Sequence, residues 1–268
     1  MRAEPETIEA WAWELIHTLD LDAKLQPADP PAEFAQAPVA RRATTPGRPA
    51  CLRVIARAER TPRPGALVHT EQRARLLHVF FHHELQAAEL FAWAICAFPE
   101  TPESFRRGLL TICLDEVRHA RLYRDQIERL GASIGDFPVR DWIWQRLSES
   151  ETPTQFVSLM GLGFEGGNLD HASIWAKRFR AVGDEQGARV QEIIEREEIS
   201  HVAFAVRWFR EWTGSLDFES WCSILPAPLT PTVMRGKTLN REARQAAGQD
   251  QRFLDALDAW DGTMVPED

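Results

Sequence analysis

Three Glu-x-x-His runs occur in this 268-residue chain: Glu14 to His17, Glu116 to His119, and Glu198 to His201. On a helix, that spacing puts both side chains on one face. A carboxylate beside an imidazole is a ligand pair for divalent transition metals. Two of the runs have a further glutamate upstream at nearly the same distance. Glu84 lies 32 residues before Glu116, and Glu165 lies 33 before Glu198. Glu14 stands too close to the start of the sequence to have such a partner and reads as a chance match. A glutamate followed by Glu-x-x-His, present twice, is the side-chain set with which four helices hold two cations in a bundle core.

The elements that must position these residues are legible from breakers and periodicity. Residues 5 to 20 read as a short helix, and residues 27 to 50, with six prolines, as an extended wrap. Four long helical patterns follow. The first runs from about His69 to Phe98 and stops at Pro99. The second has Thr101 as expected N-cap, Pro102 in the first position and Glu103 in the first turn, and ends near Leu130 before Gly131. After a connection over 131 to 152, Pro153 opens a third helix that reaches about Val182. The fourth runs from Gly183-Asp184 to Thr213, before Gly214. A tail rich in proline precedes a last short helix near Gln251 to Trp260. Short turns make hairpins of helices one and two and of three and four, and the middle connection is long enough to cross a bundle. The expected fold is all-α, a four-helix bundle with one long crossover plus N-terminal and C-terminal wrapping segments. Its parts are an arm over 1–68, a bundle over 69–214 and a wrap over 215–268.

Each long helix carries one of the four glutamates on its apolar face. Glu84 falls among Leu77, Phe80, Ala88 and Phe91, and Glu116 and His119 among Ile112, Ala120 and Tyr123. Glu165 sits with Leu162, Asn168 and Leu169, and Glu198 and His201 with Ile194, Val202 and Ala205. Carboxylates inside a core are too costly to stand alone, and two divalent cations would neutralise four of them. Glu89 is an alternative to Glu84, about 140° away around the helix. Asp115 and Glu197 precede the two Glu-x-x-His glutamates and could orient a ligand histidine. Asn168 shares the face of Glu165. Asp170 and His171 lie on the wrong side for direct ligation and read as buried hydrogen-bond partners. His82 and His83 adjoin Glu84 but point off its face. Tyr123, the chain's one tyrosine, lies a turn beyond His119, where it could relay an electron; an ordinary bundle phenol is an equal reading.

Composition narrows the classes. Hydrophobic residues make up 44% and charged residues 26%, which is ordinary for a globular protein. No run approaches the roughly 18 apolar residues of a membrane span, the first residues do not resemble a secretion signal, and four scattered cysteines indicate no disulfide framework. A cytoplasmic location is the expectation. The net charge of -9 argues against a nucleic-acid footprint. Residues 41 to 75 run the other way, with nine arginines against Glu59 and Glu71, so the rest carries -16. This stretch either grips an anionic ligand or, more simply, lies across the acidic body of its own chain.

The segment Asp115-Glu116-Val117-Arg118-His119-Ala120 resembles the second-helix motif of bacterioferritins and rubrerythrins. Phe137-Pro138-Val139-Arg140-Asp141-Trp142 and the run from Gly161 to His171 resemble the ferritin-like family called domain of unknown function 455, over residues 70 to 260. That family is related to tRNA-modifying di-iron hydroxylases. The resemblance implies that Glu84 and Glu165 are terminal ligands, that Glu116 and Glu198 bridge, and that His119 and His201 each bind one metal. It supplies a site and no substrate.

The function expected from these features is a non-haem di-iron oxygenase or oxidase with two Fe ions. It would act on a small molecule and draw electrons from a donor such as a ferredoxin or flavin reductase. A dimanganese or di-iron protein handling peroxide or iron, and a helical scaffold with a vestigial site, are the alternatives. A homodimer is expected only from base rates.

Overall fold

The computed structural model describes residues 5–57 and 61–262. Glu59 and Arg60, counted in the basic stretch above, lie outside the described residues. The chain is all-helical, and among the described residues no β-strand forms, the one isolated bridge being Val54 with Val139. No helix among them is long and apolar enough to cross a membrane. The chain divides into two compact units, residues 1–149 and 150–268.

The first unit is built on a hairpin of α3 (Thr70–Ala97) and α4 (Glu103–Arg129). At 1.5 Å per residue α3 is about 42 Å long. It stops before Pro99, whose ring disfavours helical backbone in the residue preceding it. Pro102, not Thr101, occupies the N-cap of α4. The Thr101 hydroxyl instead donates to the carbonyl of Phe98 at 2.7 Å, so it closes the turn and is not available as a cap. α3 is buried almost all round from Leu76 to Ala97, because the chain before it covers the side that α4 leaves open. Two N-terminal helices, α1 (Ile8–His17) and α2 (Leu21–Leu25), contribute to that cover, α1 packing on α3 and α2 on α4.

The extended arm is pinned by backbone and side chain. Arg41 N–H donates to Cys96 O at 2.9 Å, and Arg48 reaches Asp141 and Glu89. Arg48 of the basic stretch thus lies on acidic groups of its own unit. The connection after α4 holds a short helix, α5 (Trp142–Leu147), and joins the arm through paired backbone hydrogen bonds. Ile55 N–H donates to Val139 O, and Val139 N–H to Arg53 O.

The second unit opens with α6 (Pro153–Val157), capped by Thr152, whose hydroxyl accepts from Gln155 N–H at 3.1 Å. The third helical pattern is not one uniform α-helix. Ser158–Glu165 coils as a wider π-helix before α7 (Gly166–Ala181) resumes the ordinary pitch. Gly161 lets this coil lie against α8 (Glu185–Thr213): a Cβ there would come within 2.2 Å of the Ala205 methyl. α8 is bounded as its sequence dictates, with Asp184 accepting from Gly187 N–H and Gly214 taking the left-handed φ of 86°.

The tail forms α9 (Phe218–Ile224), α10 (Arg241–Ala246) and α11 (Gln251–Ala259). Phe218, Trp221 and Phe253 stack at 5.5–5.8 Å between centroids.

Candidate metal centre

Each unit brings one triad of metal-binding residue types into its interior. In the first, Glu84 comes from the middle of α3, and Glu116 and His119 from one face of α4. All three are buried, and one ligand atom of each lies within 4.8 Å of the others. His119 Nδ1 is 3.4 Å from Glu116 Oε2.

In the second, Glu165 closes the π-helix, and Glu198 and His201 share a face of α8. These are equally buried, and their ligand atoms are likewise within 4.8 Å of one another. His201 Nδ1 lies 3.0 Å from Glu198 Oε2, while Asn168 Nδ2 donates to Glu198 Oε1 at 3.0 Å. Asn168 therefore holds one oxygen of Glu198 in a fixed direction.

Two carboxylates and one imidazole, all out of water, are a poor apolar core and a good donor set. Burying such charges is costly unless they are compensated, and carboxylate with imidazole suits divalent transition ions. Each triad could hold a metal ion, and the donor chemistry fits one. Cys113, one turn before Glu116, is no competitor as a ligand. Burial pushes its thiol well above the ordinary range, and its Sγ contacts Ala88 O at 3.2 Å.

Other side chains singled out by the sequence fall elsewhere. Both carboxylate oxygens of Glu89 are engaged by Arg48 Nη1, at 2.5 and 2.6 Å, and Oε1 also takes Lys24 Nζ at 2.7 Å. Glu89 is thus the centre of a buried charge cluster, and the alternative that it replaces Glu84 is set aside. Asp115 is half-buried and pairs with Arg118 at 3.1 Å. Glu197 is half-buried, with its carbonyl accepting from the Ser200 hydroxyl. Tyr123 is buried one turn past His119, its ring 5.7 Å from Phe80.

Asp170 is wholly buried and accepts from Arg244 Nε and Nη2 and from the backbone N–H of Gly236 and Asn240. It fastens the tail to α7. His171 does not share that interior and is exposed, a correction to the expectation of a buried partner. Successive helical residues point 100° apart, and here that step turns His171 away from the interior that holds Asp170. His82 is buried, with Nε2 2.9 Å from Asp141 Oδ1. Burial lowers its pKa, opposed by the Asp141 contact. His83 is exposed.

The sequence reading missed Arg244 and Lys24, which neutralise Asp170 and Glu89 from 74 and 65 residues away. No spacing rule links residues so far apart. The short helices that carry them are of mixed composition and do not mark either residue out.

The site and fold define an all-α chain with a buried Glu, Glu, His triad in each of two units, a set that could hold a metal ion. Residues 8–255 match the family described as "Protein of unknown function (DUF455)", and the chain belongs to that family. It is also 24% identical over 192 residues to an "Uncharacterized protein" of Haemophilus influenzae (strain ATCC 51907 / DSM 11121 / KW20 / Rd). That match covers 68% of this chain and 66%, just under two thirds, of the relative. No solved structure matches significantly.

Proposed function

We propose that each triad holds one of a pair of divalent metal ions. The two hairpins then form a ferritin-like four-helix bundle with one crossover, and the protein is a di-iron oxygenase or oxidase acting on a small organic molecule. The observation that carries this reading is the repetition of one buried Glu, Glu, His set at matching sequence spacing in both units. Four carboxylates balance two divalent charges. Glu84 and Glu165 would be terminal ligands, Glu116 and Glu198 would bridge, and His119 and His201 would each take one ion.

A pair of ferrous ions supplies electrons to dioxygen when bound. The chain's own contribution is to orient and to keep out water. Asn168 fixes a Glu198 oxygen. The buried Tyr123 ring packs against the half-buried Phe80 ring one turn beyond His119. Turnover would call for an electron donor such as a ferredoxin or flavin reductase.

The test is anaerobic loading of the full chain with ferrous iron, followed by metal analysis and oxygen uptake. The expected result is two iron atoms per chain, reduced in Glu116→Gln and in His201→Ala, with oxygen uptake that depends on added reductant. Asn168→Ala should weaken loading about 10- to 100-fold, the usual effect of losing a group that orients a ligand. Fewer than one metal per chain after loading refutes the metal pair and leaves a scaffold. Two metals with fast peroxide disproportionation and no reductant dependence point to peroxide handling, with iron or manganese identified by the same metal analysis.

A further inference from the structure

A cleft of about 240 Å³ opens within the first unit, between the arm, the connection after α4 and one side of α3. In liquid water that volume holds about eight molecules, so it suits a compact organic group. Its polar lining is one-sided in charge. Arg75 and Arg140 are its charged groups, His82 and His83 add polar ring nitrogens, and no carboxylate contributes among the described lining residues. Val79 and Ile143 belong to an otherwise largely apolar wall.

The frame is fixed before any ligand arrives. His82 contacts Asp141, and Asp141 takes Arg48 Nε at 3.0 and 3.1 Å. Arg140 follows Val139, which exchanges backbone hydrogen bonds with Arg53 and Ile55, and the Arg140 carbonyl itself accepts from Gln86 Nε2. Its guanidinium therefore extends from a backbone that is tied on both sides. Guanidinium groups favour carboxylate or phosphate oxygens through paired hydrogen bonds, and a concave apolar wall with a few convergent polar groups is the usual form of a small-molecule site.

We propose that this cleft is a binding site for a small organic anion with an apolar body, its carboxylate or phosphate at Arg140 and Arg75 and its apolar part against Val79 and Ile143. The proposal is independent of whether the triads bind metal.

Calorimetric titration of the full chain with benzoate, octanoate and phenyl phosphate tests it, with benzyl alcohol as neutral control and inorganic phosphate as the anion without a body. At least one of the three amphiphilic anions should bind with a Kd of about 1 mM or tighter. Benzyl alcohol and inorganic phosphate should each bind at least about tenfold more weakly. Arg140→Gln should weaken the anion about tenfold, as expected for losing one charge-assisted contact. Val79→Trp should block it by filling the wall. Arg140 is half-exposed, so its variant keeps the test open should Val79→Trp not fold. The proposal is overturned if none of the three anions binds, if benzyl alcohol matches them, if inorganic phosphate matches phenyl phosphate, or if Arg140→Gln binds as the natural chain does.

Discussion

Replacing His78 with glutamine should remove most of one acid-sensitive term from the stability of this protein. The His78 ring is buried beside Phe81 and Phe137, and its Nε2 accepts the backbone N–H of Gly135 at 2.9 Å. A protonated ring cannot accept that bond. Burial, with His82 nearby, lowers its pKa from 6.5 to about 4, against the opposing pull of Asp136. Between those two values the unfolded chain binds the extra proton and the folded chain does not, so stability falls as pH falls from 6.5 toward 4. Above pH 6.5 the ring is neutral in both states and adds no slope.

A difference of that size corresponds to about 3 kcal/mol in full, and to about 2.5 kcal/mol by pH 4.5. Glutamine keeps an acceptor but loses the ring contacts, so the variant should begin about 1–2 kcal/mol below the natural chain at pH 7.5. The gap should then close and reverse by pH 4.5, a relative change of about 5–10 °C in melting temperature. Thermal melts of both chains in matched buffers across that range measure it, since acid-sensitive groups common to both cancel. A gap that stays constant from pH 7.5 to 4.5 refutes the reasoning.

Two further substitutions probe the packing around the triads. Glu89→Gln removes the carboxylate that Lys24 and Arg48 share, leaving buried positive charge. The expected loss is about 3–5 kcal/mol in denaturant unfolding, and a variant as stable as the natural chain would show the cluster to be dispensable. Gly161→Ala drives a methyl into Ala205 and should cost about 1–3 kcal/mol. Adding Ala205→Gly should recover most of it, and equal melting of single and double variants would show that the two positions do not meet.

What could be read from the sequence was what local spacing encodes. The ends of α8 follow from Asp184 and Gly214, the break after α3 from Pro99, and the shared face of Glu116 and His119 from a separation of three residues. The rest depends on contacts between distant residues. Nothing near Glu89 announces that Lys24 and Arg48 will claim it, and that claim is what separates it from Glu84. The short helices α2, α5, α9 and α10 escaped notice because five to seven residues are too few for a periodic signal. The π-helix escaped because a search at 3.6 residues per turn assigns Gly161 and Glu165 to a regular helix whether or not the coil widens. His171 was misplaced by grouping it with Asp170, although adjacent helical positions diverge.

The widened coil that ends at Glu165 also fixes the phase of everything upstream in that rod. Each residue of an ordinary helix advances the chain by 100°, and wide turns of this kind tend to sit at functional positions. Deleting a single residue between Ser158 and Glu165 would tighten the spiral and swing Phe156 and Val157 out of step with the carboxylate below them. The length of this stretch, more than the identity of its residues, is therefore what relatives should preserve. Insertions and losses tolerated elsewhere in the chain should be absent there.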